Sequence, residues 1–226
     1  MENEVVIIGA GPAGSVCGYL LRQAGVDCVI VDLASFPREK NCGGGLTPKA
    51  YELLQDLMPG LRYDYQGVNR FRLMMDGKTL CVVDLAKELR MVRRKDFDYE
   101  LLKQYQALGG KLVRDAFSHF EELADGSIQV TLKSGKSNVI LIGDAGGFAN
   151  KLTYEGLYYA IATGRNACTA ILEGKDFPVT NRDIFRKKRG KEVFMTRLFY
   201  SRLGLWLVKL GAHSPRLIKK AFEMNY

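Results

Sequence analysis

Histidine and paired cysteine are what this sequence has least of. Only two histidines occur in 226 residues, His119 and His213. Neither belongs to an H-E-x-x-H pattern, so zinc chemistry has almost no ligands to draw on. The five cysteines, Cys17, Cys28, Cys42, Cys81 and Cys168, form no C-x-x-C pair. An odd number, three of them inside apolar segments, makes no disulfide framework and suits a reducing compartment. No apolar run is long enough to span a bilayer, and the longest late one, Leu203 to Val208, is broken by Gly204. Glu2 and Glu4 follow Met1, which is wrong for a secretory leader, so the expected location is cytoplasmic. Repeats, low-complexity tracts and nucleic-acid recognition motifs are also missing. The net charge of +8 therefore points to a nucleotide or an anionic bilayer before nucleic acid.

What is there begins with an apolar run, Val5 to Ile8, that reads as a fully buried strand. It enters Gly9-x-Gly11-x-x-Gly14 directly, and Val16, Cys17, Leu20, Leu21 and Ala24 follow at helical spacing. Strand, glycine turn and helix together make a dinucleotide cradle. Gly9 permits the turn, Gly11 lets a pyrophosphate reach the backbone, and Gly14 lets helix and strand pack closely. Ala13 lies in the first turn, whose free N–H groups attract phosphate. A second buried strand, Cys28 to Val31, ends in Asp32, at the spacing of a ribose-binding carboxylate.

Further on, Lys40-Asn-Cys-Gly-Gly-Gly-Leu46 puts three glycines in a row after a basic loop. They allow backbone to approach a flat ligand, or they make a flexible loop; the spacing leaves both open. Thr47-Pro48 opens a helix carrying Tyr51, Leu53, Leu54, Leu57 and Met58 that Pro59-Gly60 stops. Arg70 to Val83 reads as a hairpin around Asp76-Gly77, and Phe117–Leu132 as another around Asp125-Gly126. Between them, a helix from about Arg94 ends at Gly109-Gly110, and Lys111 to Arg114 resumes as a strand. Ser134-Gly135-Lys136 reads as a turn, Val139 to Ile142 as a buried strand ending in Gly143-Asp144, and Glu155 to Glu173 as a long helix. The tail from Asn181 is helical and basic.

Gly9-x-Gly11-x-x-Gly14, Arg94-x-x-Phe97-Asp98 and Gly143-Asp144-Ala-Gly-Gly147 with Glu155-Gly156, taken in order, resemble the FAD-dependent oxidoreductases of the aromatic-hydroxylase fold. Within that fold, Lys40-x-Cys42-Gly-Gly-Gly45-Leu46 and Thr153-x-Glu155-Gly156-Leu157-Tyr158-Tyr159 are similar to the geranylgeranyl reductase family. The resemblance implies an α/β fold, with a Rossmann-like FAD-binding domain of residues 1–60, 84–116 and 138–178. It implies a partial antiparallel substrate layer of residues 61–83 and 117–137, and a helical tail of residues 179–226. Gly9, Gly11, Ala13 and Gly14 would hold the FAD pyrophosphate, and Asp32 the adenosine ribose. Arg94 would serve the phosphate and ribityl region, Ala116 the adenine through its backbone, and Gly143 and Asp144 the ribityl hydroxyls. Gly156 and Leu157 would present helix-start N–H groups to the flavin. Cys42 and Gly43, Gly44 and Gly45 would lie beside its ring, with Cys42 lining the pocket or assisting proton delivery.

The activity implied is hydride transfer from flavin to C=C bonds of an isoprenoid or other lipid-like substrate. An external donor, NADPH or a ferredoxin, would re-reduce the flavin; no second dinucleotide motif is present to name it. A flavin monooxygenase of the same fold and a shortened non-catalytic FAD- or lipid-binding protein stand as alternatives. Family members carry a long segment, including most substrate-cavity strands, where this chain passes straight from Lys136 to Asn138. Its loss would leave the two hairpins short of partners. The tail either packs on the domain or lays Phe194, Leu198, Trp206 and Leu207 into an anionic membrane surface, peripheral at the inner face.

Overall fold

The structure is a computed structural model. It describes residues 5–75, 77–122, 128–132, 135–136 and 156–184, then 186, 197, 201, 204, 206 and 210–223.

Short apolar runs covered on both faces make parallel strands. β1 (Val5–Ile8) and β2 (Cys28–Asp32) are of this kind and pair in parallel, Val5 beside Cys28 and Ile8 beside Val31. β2 pairs in parallel with a later strand, Lys111–Arg114 (β6 in chain order), so the described sheet runs β1-β2-β6. Parallel neighbours need a crossover, and the first is α1 (Pro12–Gln23). Pro12 opens it at a position where its missing N–H costs nothing. Ala13, Cys17 and Leu21 of α1 meet Ile7 and Ile30 of the sheet in one apolar cluster.

β3 (Gly45–Leu46), α2 (Pro48–Leu57), β4 (Gln66–Met75) and β5 (Lys78–Met91) follow before α3 (Arg94–Ala107) leads to β6. Tyr105 of α3 is fully buried. Its hydroxyl is 2.8 Å from the Cys28 carbonyl, to which it donates, and 3.1 Å from that of Lys111, so one side chain ties α3 to both β2 and β6. After β7 (Phe117–Glu122), β8 (Ile128–Leu132) and β9 (Gly135–Lys136), the long α4 (Leu157–Glu173) returns to pack along α1. At Gly164 a Cβ would lie 2.4 Å from the Ala13 carbonyl oxygen, so the two helices meet backbone to backbone. α5 (Phe177–Thr180) and α6 (Pro215–Glu223) complete the described elements.

The antiparallel sheet β3-β5-β4 is longer than the hairpin expected at 70–83. Pairing continues from Gln66 opposite Met91, with irregularities between Val68 and Arg70 and between Leu73 and Met74. Residues 84–91 are rich in charge, which hid the strand from its alternation; backbone pairing to β3 and to the start of β4 holds it. Cys81, Val83 and Leu85 form a buried cluster with Phe71, Leu73 and Leu89, and Ile218 of α6 packs on it. A helix thus covers the face for which strand partners seemed to be missing. One local expectation is corrected. Gly135 and Lys136, read as part of a turn, pair antiparallel with Leu132 and Thr131, because the outer edge of β8 offers backbone groups that need partners. The strand expected at 139–142 lies outside the described residues.

Candidate cofactor site

The β1–α1 connection is built around glycine. Gly9 has φ 97° and donates its N–H to the Val31 carbonyl at 2.7 Å. At Gly14 a Cβ would stand 1.9 Å from the Gly9 carbonyl oxygen, so only glycine lets the helix start so close to the strand end. Gly11 differs: a Cβ there would meet only Arg38 Nη2, at 3.5 Å, an ordinary contact. The fold itself needs no glycine at Gly11, and open backbone at that point suits a pyrophosphate. The first-turn N–H groups of α1, at Ala13 and Gly14, have no carbonyl partner within the helix and add the positive end of its dipole.

Asp32 closes the cradle from β2. Its Oδ2 accepts the Ala10 N–H at 2.7 Å and its Oδ1 the Ala34 N–H at 2.8 Å. A carboxylate has about four acceptor sites, so both oxygens can still accept from ribose hydroxyls while fixing the loop. Ala116 lies just past β6, and the preceding residue, Asp115, donates its N–H to the Asp32 carbonyl at 3.1 Å. Asp32 and Ala116 are therefore neighbours. The Ala116 N–H itself donates to Asp115 Oδ1 at 2.7 Å.

The second arm is the Cys42–Gly45 loop. Gly44 has φ 69°, and a Cβ there would lie 2.0 Å from the Val92 carbonyl oxygen. Its own carbonyl accepts the Val92 N–H at 2.9 Å, and β3 pairs with Arg90 and Met91. These bonds fasten the loop beside the start of α3, where Arg94 donates to Asp98 in a fork, Nε to Oδ1 at 2.7 Å and Nη2 to Oδ2 at 2.9 Å. Burial works against the Arg94 charge, but hydrogen bonds to Asp98 and to the Cys42 sulfur more than offset it and push its pKa above the usual arginine range. Cys42 is exposed, and its sulfur accepts the Gly44 N–H at 3.4 Å. Burial instead pushes the thiols of Cys28 and Cys168 up to about 11, and that of Cys17 further, so these three stay protonated and inert.

The structure thus joins Gly9, Gly11, Ala13, Gly14, Asp32 and Ala116 along one edge, and Cys42, Gly43, Gly44, Gly45 and Arg94 along the next. Gly156 caps α4, and Leu157 is buried in a cluster with Leu46, Val92 and Val16, which sets this helix start behind the second arm. Lys49 lies 4.4 Å from the Tyr158 ring centroid and 5.7 Å from that of Tyr159. Gly143 and Asp144 lie outside the described residues. Sequence reasoning missed Arg38, which bridges the arms: its guanidinium lies 3.4 Å from Asp98 Oδ2 and borders Gly11. The available signal was a cation six residues after Asp32 in a loop otherwise read only as basic.

Residues 2–70 match the model of a family described as FAD binding domain. That match spans about a third of the chain. FAD is the chain's cofactor, and the cradle just described fits the group: backbone is open at Gly11 and the Arg38 guanidinium borders it. A Methanosarcina barkeri protein is 35% identical over 110 residues, 46% of this chain and 26% of that protein. Menaquinone reductase of Mycolicibacterium smegmatis is 56% identical over 54 residues, 24% of this chain and 13% of the reductase. Digeranylgeranylglycerophospholipid reductase 1 of Methanopyrus kandleri is 42% identical over 53 residues, 23% and 14% of the two chains. Among solved structures, a mutant of halogenase PltM in complex with FAD superposes with a TM-score of 0.52 at 19% identity, covering 62% of this chain and 33% of that one. This last likeness concerns the fold. The chain spans only about an eighth to a quarter of these curated relatives' lengths.

Proposed function

We propose that this FAD-binding chain serves an oxidoreductase that reduces C=C bonds of an isoprenoid or other lipid-like substrate. The observation that carries the reading is the second arm. Gly43 has nothing within 4 Å of a would-be Cβ, and at Gly45 the nearest atom is the Met91 sulfur at 3.9 Å. Two glycines the fold does not require, flanked by an exposed thiol, leave room for a flat ring with an apolar substrate on it. The two reductases above, similar over short stretches, support the same class. FAD, once reduced, supplies the hydride. The chain's residues do the rest: Arg94 and Arg38 hold the phosphates, and the Gly43–Gly45 backbone admits the ring. Cys42 lines the pocket and can hand a proton to the second alkene carbon. An external donor, NADPH or a ferredoxin, returns the electrons.

The test is anaerobic. Chemically reduced protein is mixed with a polyprenyl quinone or polyprenyl lipid, and recovery of the flavin's yellow colour is followed. Substrate-dependent recovery with a saturated product supports the reading. No anaerobic recovery, with an oxygenated product formed from the same substrate on admitting O₂, points to a monooxygenase and overturns it.

The charge distribution supports a membrane partner. Residues 179–226 hold 12 of the 33 Lys and Arg but 3 of the 25 Asp and Glu, which leaves 21 against 22 elsewhere. Of the side chains expected at the membrane, Trp206 is exposed and Phe194, Leu198 and Leu207 lie outside the described residues; Leu210 and Leu217 are exposed too, and no described helix is long and apolar enough to cross a membrane. Basic residues and exposed apolar side chains on one segment suit the surface of an anionic bilayer. Co-sedimentation with phosphatidylglycerol vesicles that fails with phosphatidylcholine alone, and weakens with salt, is the expected result. No sedimentation with either lipid would leave the tail a packing element only.

A further inference from the structure

Asp98 takes a charge to a place that solvent does not reach: its side chain is 0% exposed. Both oxygens are committed. Arg94, 9% exposed, grips them in the fork described above, and Arg38 Nη2 stands 3.4 Å from Oδ2. Arg94 and Asp98 are one helical turn apart on α3, so their geometry is rigid. Arg38 comes from a loop without regular structure, steadied by the Phe36 ring 5.0 Å from its guanidinium carbon. By charge alone, a carboxylate beside a phosphate site opposes the phosphate. Its presence there needs another reason, and orientation supplies one. A guanidinium has five N–H donors in a fixed plane, and fixing some of them on Asp98 aims the remainder.

We propose that Asp98 is a positioning residue for the FAD pyrophosphate: shared with Arg94, it holds Arg38 at the rim of the Gly11 cradle before the cofactor arrives. The inference rests on the FAD assignment and concerns this chain's own residues. One anion shared by two cations leaves a residual positive charge and unused donors, set without further ordering on binding.

The sign of one substitution separates position from charge. Asp98→Asn removes the negative charge at nearly constant shape. If Asp98 acts only through space, FAD and ADP bind more tightly in the variant. If Asp98 positions the arginines, both bind about ten- to a hundredfold more weakly, the worth of a charge-assisted hydrogen bond, while riboflavin, which lacks the pyrophosphate, keeps its affinity. The readout is flavin and tryptophan fluorescence titration on apoprotein, with a thermal melt alongside. Tighter or unchanged ADP binding overturns the proposal, and so does an equal loss for riboflavin, which would signal general damage. Should Asp98→Asn not fold, Arg38 reads the same arrangement from its more exposed end. Arg38→Ala then weakens ADP binding, and Arg38→Lys fails to restore it because an ammonium has no fork to be held. Full restoration by lysine means a point charge suffices and overturns the proposal.

Discussion

Two glycine-rich arms meet at the cofactor site, and their glycines are there for different reasons. In the first, Gly9 and Gly14 are required by the chain: one has φ 97°, the other stands against the Gly9 carbonyl. Gly11 between them is free of both constraints. In the second, Gly44 is required, with φ 69° and the Val92 carbonyl at its back, while Gly43 and Gly45 have open space. Each arm therefore combines glycines that the fold demands with glycines left over. In these two arms we propose that the leftover ones are where the cofactor comes close. That distinction is invisible in the string Gly-x-Gly-x-x-Gly or Gly-Gly-Gly, and it makes the comparison testable one residue at a time.

The largest effect belongs to Gly14→Ala. A Cβ 1.9 Å from backbone oxygen must push α1 off β1, at the upper end of overpacking costs, about 3 kcal/mol or more. Thermal or urea melts of the apoprotein should find it close to unfolded. Gly44→Ala comes next, combining a left-handed backbone with a clash, about 2–4 kcal/mol; the loop has more freedom to shift, so the variant should fold with a lowered midpoint. Gly11→Ala changes stability by no more than about 0.5 kcal/mol, yet should weaken FAD about tenfold or more, because the added methyl occupies the phosphate's approach. The smallest effect is that of Gly43→Ala, within about 0.5 kcal/mol in stability, measurable only as slower substrate-dependent reoxidation. If Gly11→Ala and Gly14→Ala lost stability equally, the division between fold and ligand would collapse.

Much of this was legible in the sequence where local rules suffice. β1, the glycine turn, α1 and β2 follow from an apolar run, a glycine pattern, helical spacing and a second run, all within 28 residues from Val5 to Asp32. α2, α3 and α4 were announced by Pro48, Gly109-Gly110 and a long apolar face. β5 was only half legible, since residues 84–91 carry charge at positions whose strand state is fixed by backbone partners far away in the sequence. Gly135–Lys136 was misread for the same reason: a two-residue strand exists only because β8 has an edge. The site divides in the same way. Asp32 and the glycines lie where motif spacing puts them. The sharing of Asp98 by Arg38 and Arg94 needs a loop and a helix 60 residues apart to come together, and no local pattern encodes that.

The central claim is that open backbone at Gly11, bordered by Arg38, is an FAD pyrophosphate site. Its most direct measurement is a calorimetric titration of FAD into apoprotein, wild type and Gly11→Ala side by side, with melting curves of both. The account predicts one FAD per wild-type chain, and at least about tenfold weaker binding in the variant with a superimposable apoprotein melt. Equal affinities in the two proteins, or no flavin bound by the wild type, would contradict it.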